Sequence, residues 1–157
     1  MRSLILYCSD YKGNTEMIAG KIAKKIKAEL LNIKDMDNKA PDTLEYSLIG
    51  FGSGVYRETL SHRLYSLVED LDLEGKDVFV FSTSGVGMKY YNNSLIKLLR
   101  KKGANVKGSF ACKGSFVVSE FTDKKIFDAL VKLSRGHPDV KDINRAEEFI
   151  VEVVDSI

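Results

Sequence analysis

Short apolar runs alternate with segments of helical period along most of the chain. Residues 3–8, Ser-Leu-Ile-Leu-Tyr-Cys, are bounded by Ser9 and Asp10, which predicts a strand buried on both faces. From Asn14 the period changes: Ile18, Ile22, Ile26 and Leu30 recur four apart, with Ala19 and Ala23 on the same face. Lys21, Lys24, Lys25 and Lys27 take the outer positions, so an amphipathic helix lies against a sheet. Leu30 to Ile33 resume a strand, and the stretch Asp37-Asn38-Lys39-Ala40-Pro41 breaks it. Tyr46 to Phe51 form the next buried run, ending in Gly52-Ser53-Gly54, and Leu60, Leu64, Leu67, Val68 and Leu71 then follow helical spacing.

Val78 to Phe81 predict a further strand, stopped by Ser82-Thr83-Ser84-Gly85. Leu95, Leu98 and Leu99 mark a helix with Arg100, Lys101 and Lys102 in its last turn and Gly103 just beyond. A last strand is expected from Phe110, Ala111 and Phe116 to Val118, interrupted at Cys112-Lys113-Gly114. Thr122 to Leu133 have helical spacing, and Asp139 is placed to cap a terminal helix carrying Ile143, Ala146, Phe149, Ile150 and Val153. Strand and helix alternating five times with short connections predict an α/β fold, with right-handed crossovers and a parallel sheet covered on both faces.

Length and composition narrow this only slightly. A chain of 157 residues suits one domain spanning 1–157, and 44% apolar with 29% charged residues is an ordinary globular balance. No apolar run reaches a membrane span, and Met1-Arg2 leads directly into a strand rather than a signal peptide, so a cytoplasmic monomer is expected. Two cysteines without Cys-x-x-Cys spacing give neither a disulfide framework nor a zinc site, and a net charge of +2 does not suggest nucleic acid.

In doubly wound sheets ligands bind beyond the carboxyl ends of the strands. After the first strand, Ser9-Asp10-Tyr11-Lys12-Gly13-Asn14-Thr15 offers hydroxyls, a glycine and backbone N–H groups leading into a helix N-terminus. That is either a phosphate cradle or an ordinary helix start capped by Asn14 or Thr15. Neither a Gly-x-x-x-x-Gly-Lys-Ser/Thr nor a Gly-x-Gly-x-x-Gly pattern is present there, and a phosphatase loop from Cys8 would need an arginine where Asn14 stands. Gly52-Ser53-Gly54-Val55-Tyr56 adds flexible backbone and a ring, and Thr83-Ser84-Gly85-Val86-Gly87-Met88 again combines hydroxyls and glycines. Neither His62 nor His137 has a catalytic setting, and no paired-carboxylate, metal or triad arrangement stands out.

These loops together resemble the flavodoxin family. The resemblance rests on Leu6-Tyr7-Cys8-Ser9 through Gly13-Asn14-Thr15-Glu16, on Ile49 to Tyr56, and on Phe81-Ser82-Thr83-Ser84-Gly85. Cys112-Lys113-Gly114 and the Gly136-His137-Pro138 turn extend it to short microbial flavodoxin-like proteins. It implies a doubly wound five-stranded sheet of order 2-1-3-4-5, with FMN as cofactor and no catalytic side chain or metal. Ser9, Asn14, Thr15 and the amides of Tyr11 to Thr15 would hold the FMN phosphate. Three residues rather than two separate Ser9 from Gly13, so the resemblance does not assign Asp10, Tyr11 and Lys12 individually; Lys12 either pairs with the dianion or points to solvent. The Gly52–Tyr56 loop would lie along the isoalloxazine, able to turn a carbonyl towards N5–H of reduced flavin, with Tyr56 stacked on one face. Thr83, Ser84, Gly85 and the rest of that loop to Met88 would meet the other face, with Val86, Met88 or Tyr90 standing where relatives place an aromatic, and Cys112, Lys113 and Gly114 would form a third wall.

The flavin would then carry the chemistry and the protein would tune it. A short chain favours a low-potential electron carrier between redox partner proteins over the alternative, a small FMN-dependent NAD(P)H or quinone oxidoreductase. A flavin-free interaction domain is a third class, disfavoured by the retained glycines and hydroxyls. Charge is unevenly placed. Residues 89–119 hold Lys89, Lys97, Arg100, Lys101, Lys102, Lys107 and Lys113 without an acid, whereas residues 137–157 hold six acids against Lys141 and Arg145. A solvated helix face accounts for such a run; if it borders the flavin, it favours acidic partners.

Overall fold

The computed structural model describes residues 1–10, 13–37, 39–115, 132 and 134–157. Strands β1 (Ser3–Cys8), β2 (Glu29–Asn32), β3 (Leu48–Tyr56), β5 (Asp77–Ser84) and β6 (Asn105–Lys113) form a parallel sheet of order β2-β1-β3-β5-β6. A two-residue strand, β4 (Thr59–Leu60), pairs antiparallel with the end of β3. The expected five-stranded doubly wound α/β sheet is therefore present, with β4 added. Helices α1 (Asn14–Ile26) and α4 (Val140–Asp155) cover one face, and α2 (His62–Asp70) and α3 (Asn93–Lys101) cover the other.

Alternation along each strand builds two cores. Leu4, Leu6, Ile49, Phe51, Val78 and Val80 meet Leu64, Val68, Leu95 and Leu99 from α2 and α3. Ile5, Tyr7, Phe79, Phe81 and Phe110 meet Ile18, Ile22, Ala146, Ile150 and Val153 from α1 and α4. Each fully buried aliphatic side chain stabilises by about 1.5–3 kcal/mol relative to exposure, so both helix layers are strongly anchored. Asp139 caps α4 as expected: its carboxylate accepts from the Asp142 amide at 2.9 Å, and the Asp142 carboxylate accepts from the Asp139 amide at 3.0 Å.

Three boundaries differ from the sequence expectation. β3 does not stop at Phe51 but runs through Gly52-Ser53-Gly54 to Tyr56; the neighbouring strand fills the space beside Gly52, and Tyr56 of the same strand fills that beside Gly54. A Cβ on Gly50 would stand 2.3 Å from the Phe79 ring, and one on Gly52 would stand 2.1 Å from the Phe81 ring. The glycines on this face are seats for two phenylalanines. Leu60 belongs to β4, and α2 begins only at His62. β6 runs uninterrupted through Cys112 and Lys113; the strand expected at 116–118 and nearly all of the 122–133 helix lie outside the described residues.

The β3–β4 hairpin turns at Arg57 (φ 48°) and Glu58 (φ 65°), both in the left-handed region. A two-residue turn with two positive φ values favours Asn-Gly. Replacing the pair by R57N/E58G is expected to raise the unfolding free energy by about 1–2 kcal/mol, since each strained side chain costs on the order of 1 kcal/mol or more. Urea unfolding of the variant against the parent chain checks this; an unchanged midpoint contradicts it.

Candidate cofactor-binding site

Strand order reverses between β1 and β3: β1 leads out to β2 on one side, and β3 leads to β5 on the other. A crevice at the carboxyl ends of these two strands is the expected ligand position. The sequence-predicted residues collect there. β1 ends at Cys8 opposite Ser53, and Ser53 stands opposite Ser82, so the three loop regions start at one level of the sheet.

Gly13 begins the first helix. Its φ of 65° is left-handed, and as the residue before α1 it has no side chain with which to cap the first helical amides. The leading N–H groups of an α-helix have no intrahelical partner, so an uncapped end with its partial positive charge suits an anion. Asn14 and Thr15 are buried and tie this turn to its neighbours. Asn14 Nδ2 donates to the Ser115 carbonyl at 2.5 Å, and Thr15 Oγ1 shares a 2.9 Å hydrogen bond with Thr83 Oγ1. Both side chains brace the loops. Ser115 went unrecognised in the sequence; only the adjacent Gly114 signals it, since a Cβ there would stand 2.9 Å from Asn14 Nδ2.

The other walls are braced in the same way. The Gly87 amide donates to Ser84 Oγ at 2.8 Å, and the Gly114 amide donates to the Ser84 carbonyl at 2.9 Å. Gly87 (φ 68°) lets the loop lie against β6, where a Cβ would meet Lys113 N at 3.0 Å. Gly85 and Val86 lie half-buried in that loop. Ser53 is wholly buried; its hydroxyl accepts from the Ser61 amide at 2.9 Å and donates to the Gly54 carbonyl at 2.6 Å. Its side chain therefore pins the hairpin. Val55 pairs with Leu60 in the hairpin.

Tyr56 folds back over Gly54, and the Asp10 amide donates to its hydroxyl at 3.1 Å. Burial, followed by the Asp10 carboxylate, pushes the Tyr56 hydroxyl well above its ordinary pKa. Asp10 itself forms an ion pair with Lys34. Ser9 sits half-buried at the end of β1, while Tyr11 and Lys12 lie outside the described residues.

His137, Asp139 and Asp142 offer ligand atoms within 4.8 Å of one another. His137 Nδ1 lies 2.5 Å from Asp142 Oδ2, while both carboxylates accept from backbone amides at the start of α4. The hydrogen bond from the Asp142 amide is the main cause holding the Asp139 carboxyl below the ordinary range. The cluster is a helix cap. Its link to the site is the His137 carbonyl, which accepts from the Ser115 amide at 3.0 Å.

A family model described as a flavodoxin domain matches residues 4–141. The chain belongs to the flavodoxin family. An uncharacterized protein of Methanocaldococcus jannaschii is 35% identical, with 98% of this chain and 99% of that protein covered. Oxidised Flavodoxin 2 from Bacillus cereus shares the flavodoxin fold at a TM-score of 0.71 and 20% identity, covering 100% of both chains. A Lactobacillus acidophilus flavoprotein solved in complex with FMN has a TM-score of 0.56 at 25% identity, over 69% of this chain and 91% of that one. Family membership supports FMN as the cofactor. The crevice of this flavodoxin fits such a group at one point above all: the residue before α1 is a glycine, which leaves the first amides of the helix without a side-chain cap from that position and suits a phosphate.

Both cysteines of the flavodoxin domain are buried and free. Burial, followed by the nearby Asp142 carboxylate, pushes the Cys112 thiol from an ordinary 9.0 to about 12. Burial and then Glu16 push the Tyr7 hydroxyl from 10.0 to about 12. A raised folded pKa favours the protonated form, so this stabilisation is complete below the unfolded values and is lost as pH climbs towards 12. The urea midpoint is accordingly expected to fall between about pH 9 and 11, less steeply in Cys112→Ala. At about pH 8 iodoacetamide should label neither cysteine until the protein unfolds. A flat midpoint, or rapid labelling of the folded chain, contradicts these expectations.

Proposed function

We propose that residues 1–157 form one FMN-binding domain that works as a monomeric, low-potential electron carrier between redox proteins in the cytoplasm. The observation that carries the reading is the N-terminus of α1, entered through Gly13 and braced to β5 through Thr15–Thr83 and to the loop after β6 through Asn14–Ser115. Such bracing preorganises the backbone amides, and preorganisation raises affinity by reducing what must be ordered on binding.

FMN would supply reversible one-electron chemistry. The α1 amides would hold its phosphate, with Ser9 beside them, and Asp10, Tyr11 and Lys12 would complete that loop. Gly52, Gly54, Val55 and Tyr56 would border the ring on the β3 side, and Thr83 to Val86, Lys113 and Gly114 on the other. Two buried free cysteines suit a reducing compartment. Among the described residues, no helix is long and apolar enough to cross a membrane.

The test is FMN binding followed by redox titration. Purified protein should quench FMN fluorescence on binding and then take up electrons in two resolved one-electron steps. Absence of flavin binding overturns the proposal. Rapid NAD(P)H or quinone turnover with a single two-electron step would make it an oxidoreductase instead.

A further inference from the structure

Two carboxylates flank the loop that carries the proposed phosphate site: Asp10 follows the end of β1, and Glu16 is the third residue of α1. They are held differently. Asp10 is ion-paired with Lys34 from the turn after β2. Glu16 Oε1 instead accepts from the Tyr7 hydroxyl at 3.2 Å, and burial, followed by Glu16 itself, keeps that hydroxyl protonated. The charge of Asp10 is thus balanced by its partner, whereas that of Glu16 is anchored without being neutralised.

The anchor is fixed in place. Tyr7 is 4% exposed and belongs to the core that joins the sheet to α1. Side chains on a helix lean towards its amino end, so Glu16 reaches back over the turn that enters α1. Its second oxygen lies 3.4 Å from where a Cβ on Gly13 would stand. A carboxylate in the first turn gains from the positive end of the helix, and this alone accounts for an acid at residue 16. It does not account for a buried tyrosine that fixes one oxygen of that acid while the other stays beside Gly13.

The helix end that would take a phosphate therefore already faces one anion. A phosphomonoester brings a further charge of about −1.5 to −2 at neutral pH, and like charges gathered at one site raise each other's free energy. Riboflavin has the same ring system as FMN and no phosphate, so this repulsion does not act on it.

We propose that Glu16 is a resident anion that limits how much the phosphate of FMN contributes to binding, and so sets the preference of the site for FMN over unphosphorylated flavin. The proposal rests on the FMN-binding reading above and names a specificity-determining residue within that site. Glutamine at position 16 keeps the length of the side chain and an oxygen to accept from Tyr7, and removes only the charge.

Fluorescence titrations of FMN and of riboflavin decide it, on the parent chain, on Glu16→Gln and on Glu152→Gln, a control on the exposed face of α4. Glu16→Gln should tighten FMN binding by about threefold or more while riboflavin affinity stays within about twofold, so that the FMN-to-riboflavin ratio rises. A merely structural role for Glu16 would weaken both flavins together. Glu152→Gln should leave both affinities within about twofold of the parent. A parent that prefers FMN, with that preference unchanged or lower in Glu16→Gln, overturns the role of Glu16 alone; so does an equal rise in Glu152→Gln. If the parent and Glu16→Gln both bind the two flavins equally, the α1 end does not take the phosphate and that part of the binding reading fails with the proposal. A chain that binds neither flavin overturns the cofactor reading and this proposal together.

Discussion

Gly52→Ala is expected to destabilise the protein by about 3 kcal/mol, near the upper end of what overpacking a filled core costs. The added methyl would stand 2.1 Å from the Phe81 ring, well inside van der Waals contact. That ring cannot swing aside: Phe81 is fully buried and stacks on Phe79 with 6.2 Å between centroids, and Phe79 in turn meets Phe149 edge-on at 6.0 Å. Backbone movement is equally constrained, since β3 is hydrogen-bonded on both sides, to β1 and β5. For a chain of this size the loss corresponds to a fall in melting temperature of roughly 6–12 °C. A double-mutant cycle identifies the cause. Phe81→Leu alone leaves a partial void and destabilises, but in the Gly52→Ala background it makes room for the methyl. The two changes together should therefore cost clearly less than their sum. Strict additivity would show that Gly52 is required for something other than seating Phe81.

The same pair explains what could and could not be read in the sequence. Periodicity located β1, β5, α1, α3 and α4 because their signals are local: apolar runs, four-residue spacing, and Asp139 ahead of an apolar stripe. Gly52-Ser53-Gly54 reads as a turn by the same local rules, since two glycines usually mark flexible backbone. The strand continues because Phe79 and Phe81, nearly thirty positions further on, occupy the missing Cβ space. Register between strands carries that information, and one strand alone cannot reveal it. The turn at Arg57-Glu58 was hidden for a related reason: it lacks the Asn-Gly signature, and Leu60 reads as the first apolar position of a helix. At the candidate site the loops were legible as glycine- and hydroxyl-rich segments. The direction of each hydroxyl was not, because Thr15 faces Thr83 across the sheet and Ser53 turns inward to the Ser61 amide.

That division between visible composition and hidden direction makes Gly13 the sharpest probe of the proposed site. In the proposed site the backbone amides at the start of α1 hold the phosphate, while the Asn14 and Thr15 side chains bond Ser115 and Thr83. Those amides point correctly only if residue 13 holds its φ of 65°. Valine is strongly disfavoured there, while asparagine tolerates the left-handed region. Gly13→Val should therefore turn the amides away. Each hydrogen bond to a charged group is worth about 1.5–3 kcal/mol, so misplacing two of them should weaken FMN binding by roughly a hundredfold or more. Gly13→Asn should stay within about tenfold of the parent, the equivalent of ~1.4 kcal/mol. A Cβ at this position would come no closer than 3.4 Å to its nearest neighbour, Glu16 Oε2, so the contrast between the two variants reports backbone conformation rather than crowding. Fluorescence titration of FMN, with circular dichroism to show both variants folded, measures it. If Gly13→Val binds as tightly as the parent, or Gly13→Asn fails as badly as Gly13→Val, the α1 amides do not hold the phosphate.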